Sequence, residues 1–326
     1  MASSGLSHNG TKPEQLRSLI CQSVARTSSD GILFSGGLDT SVIATVASRQ
    51  GRRLRAFCVC TSGADSPDEP FATRLASELE LELKILRPSA SDLVEQMPAV
   101  IRLLNTFDPM ELRNSVVTYV GLQAAAAAGV AGVLTGDASD ELFAGYSYMF
   151  NMPADQLLPY IQHLDQVMHF TSRKLGPALG ISVELPYLDQ EVRTFALNLH
   201  HSDLVGEHDG VRCGKKILRE AFAGLLPEDF AWRRKTPIEY GSGSTVLKEF
   251  AAAGITDDEF AGAQQAAASE RVRLRDKEQY FYYRLYRRIH PPPSEQERGP
   301  KACPDCCGPV PRGDMRYCRI CGTYPI

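Results

Sequence analysis

Over the first 135 residues, short apolar runs alternate with stretches of helical period. Segments 31–34, 54–60, 81–86 and 130–135 are apolar runs bounded by polar or glycine turns, and read as strands. Segment 13–26 places Leu16, Leu19, Ile20, Ser23 and Val24 at helical spacing, with Pro13 in its first turn. Segments 39–49, 68–79, 91–104 and 114–128 also read as helices; the second puts Phe71, Leu75, Ala76 and Leu79 on one face, and the last ends at Gly129. This βαβα order predicts an α/β fold with a doubly wound parallel sheet and ligands at the carboxyl ends of its strands. From about residue 150 the strand pattern stops. Segments 154–167, 170–179, 188–198, 215–224, 245–252 and 276–289 read as helices separated by Pro and Gly.

The expected organisation is a disordered N-terminus over 1–12, an α/β core over 13–150, and a helical region over 151–290. A Pro-rich extended linker over 291–300 and a cysteine module over 301–326 complete it. The chain has 326 residues, 43% hydrophobic and 23% charged, which suits a soluble globular protein with a sizeable core. A net charge of −4 gives no bulk electrostatic case for nucleic-acid binding. No stretch reads as a signal peptide or a membrane span, and a cytoplasmic location with no membrane partner is the expectation. Cys21, Cys58, Cys60 and Cys213 are scattered and read as reduced, packed thiols; the other five of the nine cysteines lie between 303 and 321.

Two polar loops carry the chemistry. Ser35-Gly36-Gly37-Leu38-Asp39-Thr40-Ser41 joins a strand to a helix N-terminus. Its backbone N–H groups, the hydroxyls of Ser35, Thr40 and Ser41 and the helix dipole together suit an anion. There is no GxxxxGK[ST] stretch, which excludes the ordinary nucleotide P-loop. The bland alternative is a Gly-Gly turn. The second loop, Thr135-Gly136-Asp137-Ala138-Ser139-Asp140-Glu141-Leu142-Phe143-Ala144-Gly145-Tyr146, also follows a strand. Three carboxylates within five residues repel one another unless a cation intervenes, and phosphate-bound Mg²⁺ is one. Helix capping by Ser139 and Asp140 is the alternative.

SGGLDTS resembles the pyrophosphate-binding loop of the PP-loop ATP pyrophosphatase superfamily, and TGDASDELFAGY resembles the SGEGSDELFGGY loop of the asparagine synthetase synthetase domain. More matches follow in order. Glu111-Leu112-Arg113-Asn114-Ser115 resembles IRAS, and Val183-Glu184-Leu185-Pro186-Tyr187-Leu188-Asp189 resembles VRVPFLD. Lys215 to Phe222 resembles the ILREAF helix, and Trp232 to Pro237 with Gly241-Ser242-Gly243 resembles the family's R-K-…-G-G segment. The resemblance runs from about residue 14 to 290.

It implies a PP-loop fold and an ATP- and Mg²⁺-dependent ligase. The enzyme would activate a carboxylate, by default that of aspartate, as an acyl-adenylate with release of pyrophosphate. Ammonia would then displace AMP. Ser35, Gly36, Gly37, Leu38, Asp39, Thr40, Ser41, Gly136 and Asp140 would bind ATP, with Asp39 and Asp140 acting through Mg²⁺. Lys235 takes the position of the essential lysine near the α-phosphate. Asp137 stands where the family has a glutamate base, one methylene shorter. Arg113 is a candidate for holding a substrate or phosphate anion, with an ordinary ion pair as the alternative.

Glutamine-dependent members carry a glutaminase domain ahead of this region, with a cysteine at the mature N-terminus. Here 34 residues precede Ser35, and residue 2 is alanine. The expected nitrogen source is free ammonia or a separate glutaminase subunit. Cys303-x-x-Cys306 and Cys318-x-x-Cys321, eleven residues apart, have the spacing of a zinc ribbon with four thiolate ligands, Cys307 being an alternative to Cys306. An iron–sulfur or persulfide role is the minor alternative. The tail is locally basic, through Arg298, Lys301, Arg312, Arg316 and Arg319, so a nucleic acid or protein partner is open. Segment 271–288 interleaves basic and aromatic residues; packing of its aromatics on the domain is the expectation, a nucleic-acid face the alternative. PP-loop proteins with ribbon ends also resemble tRNA thiolation enzymes. A non-catalytic ATP-binding subunit is the reading from a different class.

Overall fold

The computed structural model describes residues 10–326. Strands β1 (Gly31–Leu33), β2 (Arg55–Val59), β3 (Glu82–Leu86), β4 (Gly132–Leu134) and β5 (Ser182–Glu184) form one parallel sheet in the order β3-β2-β1-β4-β5. Ile32 pairs with Ala56 on one side and Leu134 on the other. The chain thus starts in the middle, fills one side and returns to fill the other. This reversal opens a crevice between the carboxyl ends of β1 and β4, where both polar loops emerge.

Both faces of the sheet are covered, as its apolar strands require. Ala56 and Cys58 face one core with Leu16, Ile20, Val42 and Leu75 from the flanking helices. Phe57 and Val59, one residue out of phase, face a second core with Leu93, Val116 and Leu122. The second core continues into Tyr282, Tyr283 and Tyr286 of the Lys277–Arg287 helix, so the basic–aromatic segment packs its rings inward. No helix among the described residues is long and apolar enough to cross a membrane.

Several elements differ from expectation. The helix expected from residue 114 begins at Pro109, because Asp108 caps it by accepting the N–H of Met110 (3.2 Å) and Pro109 suits its first turn. Strand pairing does not stop at 150: β5 joins β4, and a hairpin of β6 (Gly206–His208) and β7 (Val211–Cys213) turns at Asp209-Gly210, both at positive φ. The Asp257–Ser269 helix, capped by Thr256, buries only Ala267 and has no apolar stripe to announce it.

The expected disorder over 1–12 falls mainly on residues 1–9, outside the described residues; the first helix spans Lys12–Arg26. Segment 291–300 holds a turn at Pro293–Glu295, and Pro292 and Pro293 are buried. Gln296 exchanges hydrogen bonds with Asn105 (2.9 and 3.2 Å). The tail adds a short antiparallel pair, β8 (Lys301–Ala302) and β9 (Pro309–Val310).

Candidate active site

The first loop leaves β1 through Phe34, whose N–H bonds to Phe57 O (2.8 Å). Gly36 has φ +66°, and a Cβ there would lie 2.4 Å from the backbone N of Ala72, so the tight turn excludes any side chain. Gly37 is the N-cap of the Leu38–Arg49 helix, and Ser41 N–H closes the first turn on Gly37 O (2.9 Å). The N–H groups of Leu38, Asp39 and Thr40 consequently have no intrahelical acceptor. Ser35, Gly37, Leu38, Asp39 and Thr40 line a cavity of about 360 Å³. Gly36 packs on the Asp68–Glu78 helix instead, and the Ser41 hydroxyl is turned into the core without a partner. Neither residue therefore presents a side chain to the cavity, in contrast to the expectation for the Ser41 hydroxyl.

The second loop comes against the first. A Cβ on Gly136 would lie 2.8 Å from Asp39 Cβ and 3.3 Å from Thr40 Cγ2. Ser139 Oγ donates to Asp39 Oδ1 (2.7 Å). Between the loops sits Lys215, its side chain only 3% exposed, with Nζ 2.6 Å from Asp39 Oδ1 and 2.6 Å from Asp140 Oδ1. Lys235 Nζ reaches Asp140 Oδ2 at 2.5 Å. Burial pushes the Asp140 carboxyl up, but the two lysines outweigh it and hold it below the usual carboxylate range. Burial would lower the Lys235 ammonium; Asp140 and Asp39 hold it above its ordinary value.

Lys215 was not singled out from sequence. It is the first of two adjacent lysines at a helix start, and no local pattern separates it from Lys216, which pairs with Glu220 (3.0 Å). What sets it apart is backbone: φ +57° and a bond from its N–H to Phe143 O (2.9 Å) aim it inward.

Within the second loop, the half-buried Asp137 accepts from Thr135 Oγ1 (3.0 Å) and Ser172 Oγ (2.6 Å); burial raises its carboxyl. Burial and the nearby Asp140 push Glu141 up to about 7; it accepts from Tyr146 OH (2.6 Å). Glu111, also pushed to about 7 by burial and by Asp108, and His169, lowered to about 4 by burial and by Arg319 and Lys174, complete this end. The cavity lining also includes the apolar residues Leu33, Phe57, Val59 and Val117.

Arg113 does not line the cavity. Its Nε donates to Glu239 (2.6 Å) and its Nη1 to Glu278 (2.5 Å), so the ion-pair alternative describes it. It ties the Pro109–Ala127 helix to the segment following Lys235. Arg233, unassigned from sequence, bonds Asp68 (2.7 Å), lies 4.0 Å over the Phe71 ring and fixes the same segment against the Asp68–Glu78 helix.

With both loops, Lys235 and the helical region joined on one cavity, the relatives can be placed. The chain matches asparagine synthase over residues 15–179 and 161–301. It belongs to the asparagine synthase family. A probable glutamine-hydrolysing asparagine synthetase of Dictyostelium discoideum is 30% identical over 301 residues, covering 82% of this chain and 53% of that protein. The Escherichia coli asparagine synthetase B is 28% identical over 322 residues, covering 89% and 56%. The chain spans about half the length of these curated relatives. Among solved structures, the NMN synthetase of Francisella tularensis aligns over 86% of this chain and 93% of its own, at 14% identity and a TM-score of 0.39.

The family match ends at residue 301, before the first tail cysteine. Cys303, Cys306, Cys318 and Cys321 are buried, with thiol atoms all within 4.8 Å of one another. The Cys303–Cys321 and Cys306–Cys318 sulfur separations are 3.6 and 3.7 Å. Four ligands about 2.3 Å from a tetrahedral zinc would be about 3.8 Å apart, so the group fits that ion. Cys307, at positive φ and outside the group, is not needed as a ligand.

Proposed function

We propose that this chain is an ATP-dependent, AMP-forming amide synthetase that activates a carboxylate, by default that of aspartate, and amidates it with ammonia. The carrying observation is the convergence of three separate segments on one cavity: the free amides at Leu38–Thr40, the Asp39–Asp140 pair, and Lys235. Membership of the asparagine synthase family supports the same reading.

The β- and γ-phosphates of ATP would rest on the N–H groups of Leu38, Asp39 and Thr40 and on the Ser35 and Thr40 hydroxyls. The base would lie beside the apolar residues Leu33, Phe57 and Val59. Asp39 and Asp140 fit Mg²⁺, because they are hard oxygen donors facing one shared cation position, now held by the Lys215 ammonium. Bound there, Mg²⁺ would supply charge stabilisation to the departing pyrophosphate. Lys235 would hold the α-phosphate as the substrate carboxylate attacks phosphorus and the bond to the β-phosphate oxygen breaks. Ammonia then attacks the acyl carbon, AMP leaves, and Asp137 accepts the surplus proton. Burial, by raising this carboxyl, makes it a better proton acceptor. The four tail thiolates would hold a structural zinc ion.

The test is product analysis with MgATP, L-aspartate and ammonium. AMP and pyrophosphate should form in equal amounts with asparagine, and only when all three are present. AMP formed only when tRNA is added would overturn the amide reading in favour of base adenylation. ATP binding without turnover across a carboxylate panel would favour a non-catalytic subunit.

A further inference from the structure

The cysteine tail lies beyond the family match, yet it grips two segments that reach the cavity from outside both polar loops, around 111–114 and 169–172. The grip comes from the Cys318–Cys321 turn, from Tyr317 just before it and from Arg312. Ile320 O accepts the Phe107 N–H (2.7 Å) and the Thr106 hydroxyl (3.1 Å). Tyr317 OH donates to Asp108, the N-cap of the Pro109–Ala127 helix. One turn into that helix, Glu111 and Asn114 reach the cavity. On the other side, Arg319 Nη2 donates to Val167 O (2.7 Å) and Arg312 Nη1 to Gln166 O (3.2 Å). Two residues beyond Val167 begins the wall segment 169–172. The two walls also meet: Ser115 Oγ donates to Glu111 (3.1 Å) and lies 3.2 Å from the Thr171 hydroxyl, and Ser172 holds Asp137. Among the described residues, no hydrogen bond or ion pair joins the tail to the first loop, Lys215 or Lys235.

We propose that the Cys318–Cys321 knuckle, fixed by a metal ion on the four thiolates, is a positioning element for the acyl-substrate end of the site and not for the ATP end. The tail packs Val310, Met315 and Ile320 into the second core, and an ion on the four thiolates would fix the short backbone segment that carries Tyr317 and Arg319. The ion supplies the rigidity, and the two side chains transmit it to Glu111 on one wall and to Ser172 on the other, which holds Asp137 of the second loop. The ribbon is then part of the substrate pocket's outline. This rests on the reading of the SGGLDTS end as the ATP site.

The experiment uses the full metal-loaded chain and the variants Tyr317→Phe and Arg319→Ala, singly and together, with elemental analysis showing that zinc is kept. Backbone hydrogen exchange should accelerate in 109–118 and 167–173, by up to about tenfold per lost hydrogen bond, and stay unchanged in 36–45. With MgATP, L-aspartate and ammonium, the KM for aspartate should rise about tenfold while the KM for ATP stays within about twofold; Arg319→Lys should recover part of the loss. Exchange that rises equally at both ends, or at neither, overturns the proposal. So does a KM change shared by ATP and aspartate. If the wild-type chain forms no aspartate-dependent pyrophosphate, the functional reading fails, and the exchange pattern still decides the positioning claim.

Discussion

Replacing Lys215 by methionine removes one charge from the centre of the site and keeps most of the apolar stem. The ammonium is 2.6 Å from an oxygen of Asp39 and 2.6 Å from one of Asp140, so those oxygens are at most about 5 Å apart. At an effective dielectric constant of about 20, two unit charges at that distance repel by at least about 3 kcal/mol. Removing one member of a buried ionic group costs about 3–5 kcal/mol, because the remaining charges stay buried without compensation. Urea denaturation in the presence of a chelator should therefore show Lys215→Met less stable by about 3 kcal/mol. In a thermal scan the midpoint should fall by about 4 °C. Adding Asp140→Asn to this variant should restore much of the loss, since one of the two repelling charges is gone. Millimolar Mg²⁺ with ATP should recover more of the loss in the single variant than in wild type, if Mg²⁺ answers the same two carboxylates. A loss below about 1 kcal/mol, or a double variant no more stable than the single one, would refute the reasoning.

Glu111→Gln should change how stability depends on pH. The folded-state carboxyl is raised from 4.5 to about 7, so the wild type loses stability as pH rises between those values and is flat above them. Glutamine has no charged form to disfavour, so its stability relative to wild type should improve by up to about 3 kcal/mol between pH 4 and pH 8. A relative stability that is constant over this range, measured by denaturation at each pH, would show that burial does not govern this carboxyl. Gly136→Ala would press a methyl group to 2.8 Å from Asp39 Cβ, with no flexible side-chain end to yield. The two loops must part, at about 1–3 kcal/mol, and ATP affinity measured calorimetrically should fall at least about tenfold. An unchanged affinity would mean that the loops do not bind the nucleotide together.

Local pattern carried much of this protein. The first four strands of the sheet, the helices between them, both polar loops and the four clustered cysteines could be read from apolar period, glycine turns and spacing. Those features depend on neighbours within a turn or two. β5 is Ser182-Val183-Glu184, with one apolar residue and no buried one, and the Asp257–Ser269 helix is solvated nearly all round, so both lacked a hydrophobic signal. Ser41 shares a polar run with Ser35 and Thr40, but helix phase turns its hydroxyl into the core.

The larger gap concerns charge. Arg113 meets its carboxylates 126 and 165 residues later in the chain, and Lys215 reaches back 176 residues to Asp39. The tail's grip on both cavity walls likewise depends on how distant segments are brought together. The sequence determined the residue types and the turns that make a parallel sheet with two polar loops and a cysteine cluster. Only the tertiary structure decided which cation faces which carboxylate. An ion pair depends on distance in space and on burial, and neither is encoded within the few residues that surround a charge.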